Sequence, residues 1–246
     1  MKFIEKIIRD HPLVHSGETE MTNFVVTKES TISVHQQDSF AKGLPACWGL
    51  GEKALEFISD SIGKESHTLE IGSGLTTLVF AHKKSQHICI TPSKREIDVI
   101  LQYAASEKID TFNIVFINDF SEVALPNITV EHPLDLVLID GKHAFPWPFI
   151  DWFYTANHLR KEGILIVDDT HLITGRFLCD FMKSDPSWEF ISVIDGKTEV
   201  FRKKADDIRN IAWHMQPFIT EEYSTRKKNK SSLFGRIRVK LRSLFR

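Results

Sequence analysis

The sequence predicts an α/β domain with a doubly wound, mostly parallel sheet of seven strands that ends in an antiparallel hairpin. Short apolar segments alternate with segments of helix length between residues 68 and 203. Strands that are apolar throughout are typical of parallel sheets covered on both faces. Two more β-rich segments then flank Asp195 and Gly196, and an Asp-Gly pair favours a tight hairpin turn. The alternation and the turn together indicate this fold class.

Five segments have the apolar centre and the polar or glycine borders of buried strands: residues 68–71, 87–91, 112–118, 134–140 and 164–168. The predicted helices between them are residues 76–84, 93–108 and 149–161. Ser93 is expected to cap the second of these, because Glu96 follows it by three residues as in a capping box. The hairpin strands are predicted at residues 189–194 and 198–202.

The remaining segments divide the chain into four parts. Residues 1–50 form an N-terminal segment that serves as a lid, a substrate arm or a dimer arm, with a short first helix and strands at 23–27 and 31–35. Residues 51–203 form the main domain, which begins with an amphipathic helix at 51–62. Residues 204–225 are a C-terminal extension, and residues 226–246 are a basic amphipathic tail.

The composition excludes several classes of protein. With 42% hydrophobic and 26% charged residues in a chain of 246, it is neither disordered nor collagenous. No apolar run approaches the roughly 18 residues of a membrane span. The three cysteines, Cys47, Cys89 and Cys179, are too far apart to indicate a disulfide framework or a cysteine zinc site. A cytoplasmic location is therefore expected.

Charge is distributed unevenly along the chain. The tail holds nine of the 31 basic residues and none of the 33 acidic ones, so the rest of the chain is acidic. We therefore expect no binding of nucleic acid. Leucine and phenylalanine lie opposite the basic residues in the tail, which predicts association with an anionic membrane surface. Docking on the chain's own domain and a solubilising, disordered tail remain the alternatives.

A glycine turn follows the first predicted strand of the sheet. In the run Glu70-Ile71-Gly72-Ser73-Gly74, the glycines permit a tight turn and a close approach of a ligand to the backbone. Thr77 stands where a dinucleotide fingerprint has its third glycine, and no P-loop lysine follows. The pattern favours a ligand site over an ordinary strand–helix turn.

This run, with Thr76 and Thr77, resembles motif I of the class I S-adenosylmethionine-dependent methyltransferases, and the resemblance extends from about residue 48 to 203. It implies a Rossmann-like methyltransferase fold and S-adenosylmethionine as the cofactor. The resemblance implies the following cofactor-binding residues: Glu70, Gly72, Ser73, Gly74, Thr77, Thr91 near the ribose, Asp119 near the adenine, and Asp140. Thr91 lies where many members carry an acid, and Ser93 and Glu96 are alternatives to it.

Acidic residues follow the fourth and fifth strands, where Asp140, Asp168 and Asp169 are expected to share one crevice if the strands are adjacent. Three carboxylates suit Mg²⁺ or another hard divalent cation and do not suit zinc. Asp169 as a plain helix cap is the alternative.

Their spacing resembles that of the divalent-cation-dependent O-methyltransferases, a branch that includes catechol and macrolide-sugar methyltransferases. This second resemblance implies Asp140, Asp168 and Asp169 as metal ligands and His143 as the catalytic base. Lys142 is a rival for the base, and His171 is the second choice. Trp147 is expected to line the acceptor pocket.

The predicted function is thus metal-assisted O-methyl transfer to a hydroxyl of a sugar, a glycoconjugate or a small natural product. Two other functions remain open. One is an oxygenase or hydrolase on the same fold, in which His143, His171 and Asp140 would bind iron. The other is a membrane-associated subunit that binds the cofactor without turnover. The sequence is compatible with a homo-oligomer under any of these functions.

Overall fold

The computed structural model describes residues 2–10, 49–205 and 212–220. Within these ranges the helices are α1 (Phe3–Arg9), α2 (Glu52–Ser61), α3 (Leu75–Lys83), α4 (Lys94–Ser106), α5 (Ser121–Ala124), α6 (Trp147–Thr155) and α7 (Ile173–Ser184). The strands are β1 (His67–Ile71), β2 (Gln86–Ile90), β3 (Ile114–Ile117), β4 (Leu134–Ile139), β5 (Leu159–Val167), β6 (Trp188–Ile194) and β7 (Thr198–Lys203).

The seven strands form one sheet in the order β3-β2-β1-β4-β5-β7-β6. The first five pair in parallel, and β7 pairs antiparallel with both β5 and β6. The predicted fold class is therefore confirmed, including the terminal hairpin. The chain runs outward from β1 to β3 and then returns to place β4 on the other side of β1. That reversal opens a crevice at the carboxyl ends of β1 and β4, where doubly wound sheets bind ligands.

Helices cover both faces of the sheet, and a hydrophobic cluster lies under each layer. One cluster joins the sheet to α6 and α7 through Trp152, Leu178 and Met182. The other joins the opposite face to α1, α2, α3 and α4, and its members include Leu55, Ile58, Phe80 and Ile100. None of the described helices is long and apolar enough to cross a bilayer.

One local prediction was wrong, and one helix was not predicted. The helix predicted at 149–161 ends at Thr155, and β5 already begins at Leu159. Arg160, Lys161 and Glu162 are exposed at the start of that strand, so they lack the apolar pattern that marks a buried strand. The helix α7 was missed, although Thr174, Leu178 and Met182 form its buried face at helical spacing.

The predicted first helix and the Ser93 cap are confirmed, since Ser93 Oγ accepts a hydrogen bond from the Glu96 N–H at 3.3 Å. The strands expected at 23–27 and 31–35 lie outside the described residues, as does the tail at 226–246.

Candidate active site

The glycine turn is fitted closely against the end of β4. Gly72 has a φ of +99°, and a Cβ atom there would overlap the backbone carbonyl oxygen of Asp140. The Gly72 N–H donates to the carbonyl of Ile90 at 2.9 Å. Only glycine is compatible with this position, because any side chain would be strained at this φ and would lack the space for its Cβ atom. The backbone of the turn is thus in direct contact with the backbone of Asp140, so neither can move without the other.

Glu70 lies under the turn, where it has no exposed surface. Its carboxylate accepts hydrogen bonds from Thr76 Oγ1 at 2.6 Å and from Thr77 Oγ1, and it lies 3.2 Å from His87 Nε2. Thr77 Oγ1 in turn accepts from the Gly74 N–H at 3.1 Å. The structure therefore places Glu70 and Thr77 as supports of the turn's shape. Sequence reasoning did not identify His87.

Ser73 and Thr91 meet at the open side of the turn, together with Glu96 from the first turn of α4. Ser73 Oγ donates to Glu96 Oε2 at 2.6 Å, and Thr91 Oγ1 lies 3.5 Å from the same oxygen. The Glu96 side chain therefore does not complete the predicted capping box. Instead, the Glu96 carboxylate lies beside the glycine turn.

The loop after β3 lies next to this group. Asn118 donates its side-chain amide to the carbonyl of Thr91 at 3.0 Å. Asp119, the predicted adenine contact, is half-buried and accepts a hydrogen bond from the N–H of Phe120 at 2.8 Å. The residues after β1, β2 and β3 thus lie beside one another at the carboxyl edge of the sheet.

The acidic residues after β4 and β5 converge as predicted, because the two strands are adjacent. The Asp168 N–H donates to the carbonyl of Ile139 at 3.0 Å, which aligns the ends of the two strands. One potential ligand atom from each of Asp140, His143 and Asp169 lies within 4.8 Å of the others. His143 Nε2 is 3.1 Å from Asp169 Oδ2. This trio differs from the predicted one, since His143 takes the place of Asp168.

Asp168 is held by the β6–β7 hairpin. Lys197 Nζ lies 2.8 Å from Asp168 Oδ2, and Thr198 Oγ1 donates to Asp168 Oδ1. Lys197 also reaches Asp169 Oδ1, at 3.1 Å. Sequence reasoning missed Lys197, and no sequence motif marks it, because its position depends on the insertion of β7 next to β5.

Electrostatics within the cluster follow from burial and crowding. Burial, followed by the charges of Asp168 and Asp169, holds the pKa of Asp140 well above its usual range. Burial also lowers the pKa of His143, although Asp169 opposes this effect, so the imidazole stays neutral near pH 7. Burial alone would lower the pKa of Lys197, but the two neighbouring aspartates outweigh it and raise that pKa.

Three other predicted residues, Lys142, Trp147 and His171, lie in the segments that follow β4 and β5. Lys142 Nζ sits 3.5 Å from the ring centroid of Trp147, so its ammonium faces an aromatic ring. His171 Nδ1 lies 3.7 Å from Asp169 Oδ1, outside the trio of potential ligands. Two apolar side chains of the same segments are exposed: Phe145 is 70% exposed, and Ile173, on the first turn of α7, is 57% exposed.

Asp151 is a buried acid on α6, behind Gly141. Burial raises its pKa to about 7, while the nearby Ser121 hydroxyl opposes the shift. A raised pKa means that folding favours the protonated acid, so stability is full at low pH and falls as pH rises toward 7. We expect Asp151→Asn to stabilise the protein at pH 8 by about 1–4 kcal/mol and to have little effect at pH 4. Urea unfolding at both pH values measures this, and an unchanged or lower stability at pH 8 would contradict it.

Residues 69–170 match the family model of a methyltransferase domain. No curated protein sequence matches the chain. The fold is similar to that of an O-methyltransferase from Bacillus cereus in complex with SAH, with a TM-score of 0.55, 14% identity, and coverage of 75% of this chain and 95% of that one. It is also similar to the O-methyltransferase TomG from Streptomyces achromogenes in complex with SAM, with a TM-score of 0.54, 12% identity, and coverage of 83% and 100%. At these identities the likeness concerns the fold.

Proposed function

We propose that this chain, which carries a class I S-adenosylmethionine-dependent methyltransferase domain, transfers the methyl group to a hydroxyl oxygen of a small-molecule or glycan acceptor, with a divalent cation bound beside it. The observation that carries the proposal is the convergence of Asp140, His143 and Asp169 next to the glycine turn. Two carboxylates and an imidazole at the switch point of the sheet offer both a cation site and a base. The O-methyltransferases among the structural relatives support oxygen as the methyl acceptor.

The cofactor fits the crevice along β1, β2 and β3. Gly72 and Ser73 are partly exposed at the turn, and the buried Glu70 and Thr77 fix its path. Glu96 is a partly exposed acid that contacts this turn through Ser73, so we propose that it binds the ribose hydroxyls, with Thr91 beside it. A carboxylate accepts hydrogen bonds from a diol well, and Glu96 thereby supplies the acid that is missing after β2. Asp119 remains our candidate for the adenine amino group.

The cluster after β4 and β5 fits a hard divalent cation such as Mg²⁺. Asp140 and Asp169 offer carboxylate oxygens at ligand spacing, and the crowding of three aspartates favours a positive charge there. The oxygens of Asp168 are already engaged by Lys197 and Thr198, so we assign Asp168 to orienting the hairpin. A bound cation would orient the acceptor hydroxyl and lower its pKa.

His143 is our candidate for the base. Its neutral imidazole can donate from Nε2 to Asp169 Oδ2, which leaves Nδ1 to take the proton of the acceptor hydroxyl. The Asp169 carboxylate then stabilises the imidazolium that forms. His143→Asn tests this role: a lower rate with unchanged Mn²⁺ affinity indicates a base, whereas a loss of Mn²⁺ affinity indicates a ligand.

Isothermal titration of the full-length protein with S-adenosylhomocysteine tests the cofactor assignment. We expect saturable binding with one site per chain. A second assay incubates the protein with methyl-labelled cofactor and a small-molecule extract, with and without a chelator, and follows labelled products by mass spectrometry. Absence of cofactor binding by folded protein would overturn the function. Equal product with and without the chelator would overturn the metal assignment alone.

A further inference from the structure

A lysine ammonium lies against the carboxylate cluster. Lys197 Nζ contacts both Asp168 and Asp169, at 2.8 and 3.1 Å. Its side chain is only 21% exposed, and the Asp168 side chain is fully buried. This is therefore a desolvated ion pair, in which the geometry and the loss of water both strengthen the attraction.

The position of Lys197 is fixed by its backbone as well as by its charge. Its carbonyl accepts hydrogen bonds from the Thr170 N–H at 2.8 Å and from Thr170 Oγ1 at 2.9 Å. These bonds fasten the tip of the β6–β7 hairpin to the loop that carries Asp168 and Asp169. These backbone contacts keep the Lys197 ammonium close to the two carboxylates, so its effective concentration there is high.

Asp169 is the residue for which two cations would compete. Its Oδ1 faces Lys197 and its Oδ2 faces His143, and one of its oxygens lies within 4.8 Å of a carboxylate oxygen of Asp140. Asp168 holds Lys197 through its other contact, so the ammonium can leave Asp169 without losing its main partner.

We propose that Lys197 is a built-in competitor of the divalent cation, which neutralises Asp169 in the metal-free protein and withdraws toward Asp168 when the cation binds. This rests on the metal site of the proposed function. It implies that the hairpin sets the affinity for the cation, and that the site binds its metal less tightly than Asp140, His143 and Asp169 would without Lys197.

Titration of the full-length protein with Mn²⁺, followed by electron paramagnetic resonance of the free ion, tests this. We expect Lys197→Met to bind Mn²⁺ at least about tenfold more tightly than the wild type, and Lys197→Arg to resemble the wild type, since it keeps the charge. Lys53→Met is the matched control, because Lys53 pairs with Asp195 on the same hairpin at 3.6 Å and is 77% exposed. It should leave the Mn²⁺ affinity unchanged.

A second readout guards against misfolding of the variant. Without metal, Lys197→Met should have a lower melting temperature than the wild type, because Asp168 loses its partner, and Mn²⁺ should raise that temperature more than it does in the wild type. Equal or weaker Mn²⁺ binding by Lys197→Met, or an equal gain in Lys53→Met, would overturn the proposal. Failure of every variant to bind Mn²⁺ would overturn it too, while binding of S-adenosylhomocysteine by the same samples would leave methyl transfer standing.

Discussion

Replacing Gly72 with alanine is expected to abolish the binding of S-adenosylhomocysteine and to lower the free energy of unfolding by about 3 kcal/mol or more. The added methyl group would overlap the carbonyl oxygen of Asp140, and the φ of +99° is unfavourable for any residue with a Cβ atom. The overlap involves backbone on both sides, so no rotamer change relieves it. Either the glycine turn or the end of β4 must move.

Calorimetric titration and urea unfolding measure the two effects separately. Gly63→Ala is the matched control, because a Cβ atom there meets no other atom within 4 Å and no positive φ is involved. It should bind the cofactor like the wild type. Tight binding of S-adenosylhomocysteine by Gly72→Ala would contradict the fitted turn and with it the cofactor assignment.

The sequence could predict the position of the acidic cluster because a parallel sheet converts order along the chain into proximity. Asp140 and Asp168 each follow a buried apolar strand, and adjacent parallel strands bring their carboxyl ends to the same edge. The N-cap at Ser93 was also readable, since it depends only on neighbours in sequence. In both cases the residues next to one another in the sequence were sufficient for the prediction.

Contacts between distant segments were not readable. Lys197 reaches the cluster only because β7 inserts between β5 and β6, and nothing in the residues near it indicates such a partner. Glu96 fits a helix cap by sequence, yet its carboxylate turns toward Ser73 on another element. The start of β5 was misassigned because its exposed polar residues, Arg160 to Glu162, match a helix surface as well as a strand.

Replacing Asp140 with asparagine is expected to lower methyl transfer by about 100-fold or more while it leaves the metal-free protein as stable as the wild type or more so. Burial and the two nearby aspartates raise the pKa of Asp140, so the free energy of unfolding falls as the pH rises from the ordinary aspartate pKa toward the raised one. Asparagine removes this charge and keeps the shape. Rate and stability should therefore change in opposite directions, which a merely structural role would not produce.

The same variant separates cation binding from folding. Mn²⁺ should raise the melting temperature of the wild type at pH 8 and should have little effect on Asp140→Asn, because one of the two carboxylate ligands is gone. Asp135→Asn is the control on the same strand: Asp135 lies at the opposite end of β4, where it accepts hydrogen bonds from the His67 N–H at 2.8 Å and Arg160 Nε at 2.6 Å. It should retain full methyl transfer and the full response to Mn²⁺. If Asp140→Asn keeps its activity and its Mn²⁺ response, the crevice at the end of β4 is not where the cation acts.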